Sequence, residues 1–322
     1  MRNRRTFLTS AGILIAMKGA GFTQPRRKKI GYLHTLSANI NPPPVSLSTM
    51  RPVLQRLGYV EGETVLLRGA DGDPRRLPEL ASELLRLDVS VLIAVGPAAL
   101  RAASQATKTT PIIAVDLETD PVRAGLAASF GRPGGNVTGL FLDQPALAGK
   151  WLELLREAAP SIERVALVWE PTSGSDQLEA AKSAAGSIGV EVLVLEVRTT
   201  DGYEHAFRGL AARTGIVQLG SPALTVPPTR LGEAALKYRL PTISFYSPHG
   251  RAGALLSYGP NLELYFPRAA ILADRIISGV NPGDLPIEQP ERYQLLINLK
   301  TARSLGMTIP PVLLARADEV IE

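Results

Sequence analysis

The sequence predicts an α/β protein of two Rossmann-like lobes, each a parallel sheet covered by helices on both faces. Three observations carry that expectation. The chain has 322 residues, more than one comfortable domain and enough for two separate cores. From Ile30 onward, short β-rich runs alternate with amphipathic segments, the rhythm of βαβ units. The rhythm then falls into two series, on either side of the stretch SFGRPGGNVTG, Ser129 to Gly139.

The first series has strand candidates at 30–33, 64–68, 89–95 and 111–115, and the second at 164–169, 191–197, 215–219, 241–245 and 254–257. Among the helical segments, 77–87 is the clearest, with Leu77, Leu80, Leu84, Leu85 and Leu87 at helical spacing. The glycine-rich stretch between the series does not read as a phosphate loop. Gly134 and Gly135 lead into the extended run 137–140, not into a helix. We expect it to be the first crossing between lobes, with Gly134, Gly135, Asn136 and Gly139 as hinge residues. After LSYG (Leu256 to Gly259), a helical stretch over 261–278 ends at GVNPG, and 293–306 supplies one more strand and helix. A tail this long can return to the first lobe. The expected lobes are therefore discontinuous: 29–140 with about 258–284, and 141–257 with about 285–322.

Apolar residues make up 45% of the chain and charged residues 20%, the balance of a globular protein. The formal charge of +5 suggests nucleic acid until its location is considered. Eight Lys/Arg fall in residues 1–29 with no acid; removing them from 35 leaves 27 basic against 30 acidic residues, a net of −3. The folded body is thus not basic, and no nucleic-acid partner is expected. The basic residues belong to an export leader over 1–28: a basic start, a short apolar run from Ala11 to Met17, and Arg4-Arg5-Thr6-Phe7-Leu8, which fits a twin-arginine pattern. Lys18 interrupts the apolar run. No stretch reaches the ~18 apolar residues a membrane span needs. The absence of cysteine excludes disulfides, thiol catalysis and cysteine-ligated zinc.

Ligands of open parallel sheets bind beyond the carboxyl ends of the strands. The positions to inspect are therefore His34 and Thr35, Gly96 to Ala99 and Asp116 to Asp120 in the first lobe, and Glu170 to Ser173, Gly220 to Pro222 and Tyr246 to Pro248 in the second. Gly96-Pro97-Ala98 is the most informative, because glycine admits close approach, proline suits a first helical turn, and the exposed N–H groups attract an anion. An ammonium would need an acid such as Asp116, Asp120 or Glu170, and Tyr246, Tyr258 or Trp169 could stack on an aromatic group. Of the three histidines, His205 reads as a surface residue, His34 as a candidate ligand contact and His249 equally as a turn residue. They lack metal-ligand spacing. There is no G-x-S-x-G elbow and no Walker A sequence, so no catalytic residues, metal or cofactor are expected.

Several stretches carry a family resemblance: LGYVEGETV (57–65), LPELASELL (77–85), DPVRAGLAASFGRPGGNVTGL (120–140), KWLELLREAAP (150–160), LSYG and LINLKTARSLGMTIPPVLLARADEVIE (296–322). In collinear order they resemble the ABC-transporter substrate-binding proteins that include tryptophan- and tyrosine-binding members. The resemblance implies a type I periplasmic-binding-protein fold, a periplasmic location, no catalysis, and a small-molecule ligand handed to an ABC permease in the inner membrane. By position it implies that Gly96, Pro97 and Ala98 form a ligand-facing turn, that Asp116 and Asp120 face the cleft, and that Glu170 and Ser221 stand where relatives carry other polar residues. An amino acid or other small carboxylate is the implied ligand class. The alternative on this scaffold is a ligand-sensing domain partnered with a membrane signalling protein.

Overall fold

The computed structural model describes residues 28–142 and 144–322; the expected leader lies outside the described residues. Among these, no helix is long and apolar enough to cross a membrane. The first lobe is built from β1 (Ile30–His34), α1 (Val45–Arg56), β2 (Val65–Gly69), α2 (Leu77–Arg86), β3 (Val91–Val95), α3 (Pro97–Ala106), β4 (Ile112–Asp116) and β5 (Val137–Phe141). Its strands are all parallel, in the order β2-β1-β3-β4-β5. Strands β1, β3 and β4 are buried along their whole length, which is why they read as unbroken apolar runs without alternation. Helix α2 follows the expected pattern, with Leu77, Ala81 and Leu84 buried and Glu79, Glu83 and Arg86 on its outer side.

The second lobe continues with α4 (Ala148–Ala158), β6 (Arg164–Trp169), α5 (Asp176–Ser187), β7 (Glu191–Glu196), α6 (Tyr203–Phe207), β8 (Thr214–Gln218), α7 (Thr229–Lys237), β9 (Thr242–Ser244), α8 (Ser247–Arg251) and β10 (Leu256–Pro260). After α9 (Leu262–Tyr265) and α10 (Pro267–Ile277) come β11 (Tyr293–Asn298), α11 (Leu299–Leu305), α12 (Pro311–Leu314) and β12 (Glu319–Ile321). The seven strands run β12-β11-β10-β9-β8-β6-β7, and only the β10–β11 pairing is antiparallel. The core here centres on Trp151, whose ring meets Phe245 edge-on at 6.2 Å and whose Nε1 donates to the Tyr258 carbonyl at 2.9 Å.

Helix α10 lies against α1 and against β3, β4 and β5 of the first sheet, burying Ala269, Ala270, Leu272, Ala273, Ile276 and Ile277. The Tyr59 hydroxyl donates to Asp274 Oδ1 at 2.9 Å, tying α10 to the loop after α1. The chain therefore passes between the sheets three times: after β5, between β10 and α10, and between residue 285 and β11. Strand β10 keeps residues 256–260 in the second sheet, so the second passage begins beyond Tyr258.

The expected hinge residues need correction. Gly134, Gly135 and Asn136 precede β5 at its amino end, and β5 itself is the edge strand of the first sheet. The Gly134 N–H donates to the Gly283 carbonyl (3.0 Å) and the Asn136 side chain to the Thr110 carbonyl (2.8 Å), both in the first lobe. Gly139 serves close packing: its φ is +141°, and a Cβ there would lie 2.1 Å from the Ala114 carbonyl oxygen. The crossing itself begins after Phe141. The third passage runs beside β5, with the Glu288 N–H donating to Gly139 O (2.9 Å) and the Phe141 N–H to Glu288 O (3.1 Å).

Candidate functional site

The carboxyl ends of the two sheets face each other across a cleft. His34, Val95 and Asp116 are the last residues of β1, β3 and β4; Glu170, Ser221 and Tyr246 follow β6, β8 and β9. A cavity open to solvent is walled on one side by His34, Ser46, Val95, Val115, Leu117 and Glu118 and on the other by Pro222, Thr225, Tyr246 and Pro248. Leu262 and Phe266, from the second passage, close its third side. Most of this wall is apolar, as ligand sites usually are.

Two further spaces adjoin it. In one, Thr35, Gly96, Pro97 and Ala98 of the first lobe face Glu170, Thr172, Ser173, Ser221 and Pro222 of the second. In the other, Pro97, Arg101, Asp116, Glu118 and Thr119 face Ser173 to Gln177. Nine of the expected contacts thus line these three spaces: His34, Thr35, Gly96, Pro97, Ala98, Asp116, Glu170, Ser221 and Tyr246. Asp120 and Tyr258 do not. Asp120 sits at the outer rim, where Oδ1 accepts the N–H groups of Val122 (2.9 Å) and Arg123 (3.1 Å) and shapes a turn. Tyr258 stacks on Tyr293 with ring centres 5.9 Å apart, on the second sheet away from the cavity. Trp169 likewise turns aside, donating to the Gly174 carbonyl at 2.7 Å.

The lobes touch in the state seen here. Gly96 caps α3 with φ +84°, and a Cβ at that position would stand 2.7 Å from Pro222 Cγ of the other lobe. Arg101 donates to the Thr172 carbonyl at 2.7 Å, and Arg123 pairs with Asp176. Glycine at 96 therefore meets two demands at once, a left-handed backbone and closure against a proline.

Four acids line the cleft: Asp116, Glu118, Glu170 and Asp176. Glu170 is buried, with Oε1 accepting from Thr172 N–H (3.0 Å) and Oε2 from the hydroxyls of Thr172 (2.6 Å), Ser173 (3.2 Å) and Ser221 (3.2 Å). Asp116 Oδ1 accepts the N–H groups of Glu118 (2.9 Å) and Thr119 (3.1 Å). Burial, with the neighbouring Asp116 carboxyl, holds Glu118 well above the usual carboxylate range. His34 Nδ1 accepts the Leu36 N–H at 2.8 Å, and burial lowers the ring to about 4. It is therefore a neutral imidazole carrying its proton on Nε2. His249 is not a cleft ligand; its Nδ1 pairs with Ser244 Oγ at 2.7 Å in the second-lobe core, and it too is lowered to about 4 by burial. His205 is exposed on α6, as expected.

The residues that sequence reasoning passed over are Ser46, Glu118, Pro222 and Phe266. Glu118 and Pro222 lay in loops singled out by position, but nothing marked them within those loops. Ser46 lies in the first turn of α1, beyond the loop that follows β1, and Phe266 lies between α9 and α10, beyond the residues that directly follow β10. Among the described residues no group of three or more His, Cys, Asp or Glu could hold a metal ion.

Two doubly wound lobes with facing strand ends and a mostly apolar cavity between them define a binding protein of the periplasmic type I architecture. Residues 47–321 match the family model described as ABC transporter substrate binding protein, and the chain belongs to that family. It is 26% identical over 263 residues, 79% of this chain and 74% of its relative, to the tyrosine-binding protein of Clostridioides difficile strain R20291. Among solved structures it is similar to an ABC domain in complex with L-Trp from Streptococcus pneumonia, with TM-score 0.79 and 21% identity, covering 92% of this chain and all of that one. It also resembles the ligand-free, open form of a substrate binding protein from Clostridium difficile, with TM-score 0.58 and 23% identity, covering 91% of this chain and 99% of that one.

Proposed function

We propose that this protein is an exported solute receptor that takes up a small organic molecule between its lobes and presents it to the permease of an ABC importer. The observation that carries the reading is the cavity, whose walls come from strand ends of both lobes and whose rim is bridged by Arg101–Thr172 and Arg123–Asp176. A ligand touching both walls stabilises the closed state over the open one, and the closed surface is what a permease can recognise. The ligands named for its relatives, tyrosine and L-Trp, support a molecule of amino-acid size. The basic, short apolar leader supports export to the periplasm.

Native mass spectrometry of protein recovered from the periplasm of an expressing host tests this. The expected result is one small molecule bound per chain, which leaves on unfolding and, when added back, raises the melting temperature and compacts the protein in solution scattering. A protein that carries nothing and shows neither response to a metabolite extract of its host overturns the reading.

A further inference from the structure

The acids of the cleft point to the charge of the ligand, an inference that rests on the receptor reading above. Asp116 Oδ2 and Glu118 Oε1 are sealed from solvent and take no donor from any other described residue; the two carboxyls hydrogen-bond each other through the proton that Glu118 retains. Asp116 is 0% exposed and Glu118 4%. Their other oxygens are held by the backbone: Asp116 Oδ1 by Glu118 and Thr119, and Glu118 Oε2 by the Leu117 N–H at 3.2 Å. Each carboxyl is thus fixed in direction with one oxygen left over, and Glu118 faces both the central cavity and the space beside it. One shared proton cannot serve every lone pair of two buried carboxyls, so the pair keeps acceptor capacity for donors that arrive from outside.

Beyond that shared proton, the surroundings supply no donor. Among the described residues no Lys or Arg lines the central cavity. Arg101, in the adjoining space, is turned to the Thr172 carbonyl, Asp176 across from it pairs with Arg123, and His34 is neutral. Nor is there a place prepared for a carboxylate. The amino end of α3 is the natural anion site of such a cleft, but the carboxylate of Glu170 from the opposite lobe lines the same space as Gly96, Pro97 and Ala98. An incoming carboxylate there meets like charge.

We propose that the cleft selects an organic cation, an ammonium or amidine on an apolar body, whose N–H groups take the place of the proton shared by Asp116 Oδ2 and Glu118 Oε1, and that it rejects the zwitterionic amino acid of the same skeleton. An ammonium brings three donors, enough to serve both oxygens at once. The apolar body packs on Val95, Val115, Leu117, Phe266 and the ring of Tyr246.

Isothermal titration of the purified protein at pH 7.5 with tyramine, phenethylamine and benzamidine, against L-tyrosine, L-phenylalanine and 3-phenylpropionate, tests the proposal. The expected result is that an amine binds at least ten-fold more tightly than the amino acid or acid of its skeleton. Glu118→Gln should then lose about ten-fold or more of that affinity, the scale of a hydrogen bond to a charged group, with the urea midpoint of the unliganded protein unchanged or raised. Asp116→Asn, which keeps Oδ1 in its turn, should show the same loss. If L-tyrosine or 3-phenylpropionate binds as tightly as tyramine, or if both variants bind amines like the wild type, the charge inference falls and the receptor reading stands. If no compound of any charge binds, the charge inference falls too, and the mass-spectrometric experiment decides the receptor reading separately.

Discussion

At the residue scale, Gly96 and the two buried histidines make separable predictions. Gly96→Ala forces a side chain into a left-handed backbone, which costs roughly 1–2 kcal/mol of folding stability. It also places a methyl group against Pro222 of the other lobe. Ligand affinity should therefore fall more than stability, by ten-fold or more. Adding Pro222→Gly should restore part of the affinity and none of the stability, the coupling a double-mutant cycle detects. Equal losses that Pro222→Gly leaves untouched would make the turn structural only. The histidines act through pH. His34 and His249 are both lowered to about 4 from 6.5 by burial, so below 6.5 the unfolded chain takes up protons that the native state refuses until about 4. Stability is present above 6.5 and is lost as pH falls through that window, by about 2 kcal/mol per ring between pH 7 and pH 5. Urea unfolding of His249→Gln at the two pH values should show a fall smaller by about that amount, whatever the variant costs at pH 7. An undiminished fall would mean that the ring is protonated in the native state.

At the element scale, the parallel framework is legible in the sequence because buried strands have one physical signature. Runs such as VLIAV (Val91–Val95) and IIAVD (Ile112–Asp116) must be apolar throughout when both faces are covered. The expected strands fall within a few residues of those observed. What escaped were features fixed by distant partners. SFGRPGGNVTG reads as a crossing because glycines suggest freedom, yet its freedom is used to seat β5 against Ala114 and the returning segment at Gly283. The helical stretch over 261–278 divides into α9 and α10 at Phe266-Pro267, where Pro267 starts a new helix, as proline does at a first turn. Strand β12 has only three residues and exists because β11 offers it an edge. In the site, strand-end positions were readable from the topology rule alone. Which of the three acids in the Asp116 to Asp120 loop point inward was not, because that depends on the turn made by Asp116 Oδ1.

At the scale of the whole molecule, the proposed receptor works by a balance between open and closed lobes, and the contacts across the rim are weak enough to be tuned. Arg101 bonds a backbone carbonyl and Arg123 an aspartate, and the Arg123–Asp176 pair is more than half exposed on both sides. Exposed ion pairs contribute about 1 kcal/mol at most and are screened by salt. Neither contact can hold the lobes together alone; under the proposed receptor reading, closure then depends on a ligand bridging the walls, as release of the cargo requires. Removing both contacts in Arg101→Ala/Arg123→Ala should leave the melting temperature of the unliganded protein within about a degree or two, since each lobe keeps its own core. Ligand affinity should fall by roughly five- to thirty-fold, the equivalent of one to two such contacts, and solution scattering should show a larger radius of gyration at subsaturating ligand. Raising the salt should narrow the gap between variant and wild type, because it weakens in the wild type the pair that the variant lacks. A double variant that binds like the wild type at low salt would place the energy of closure entirely in the ligand and the hinge.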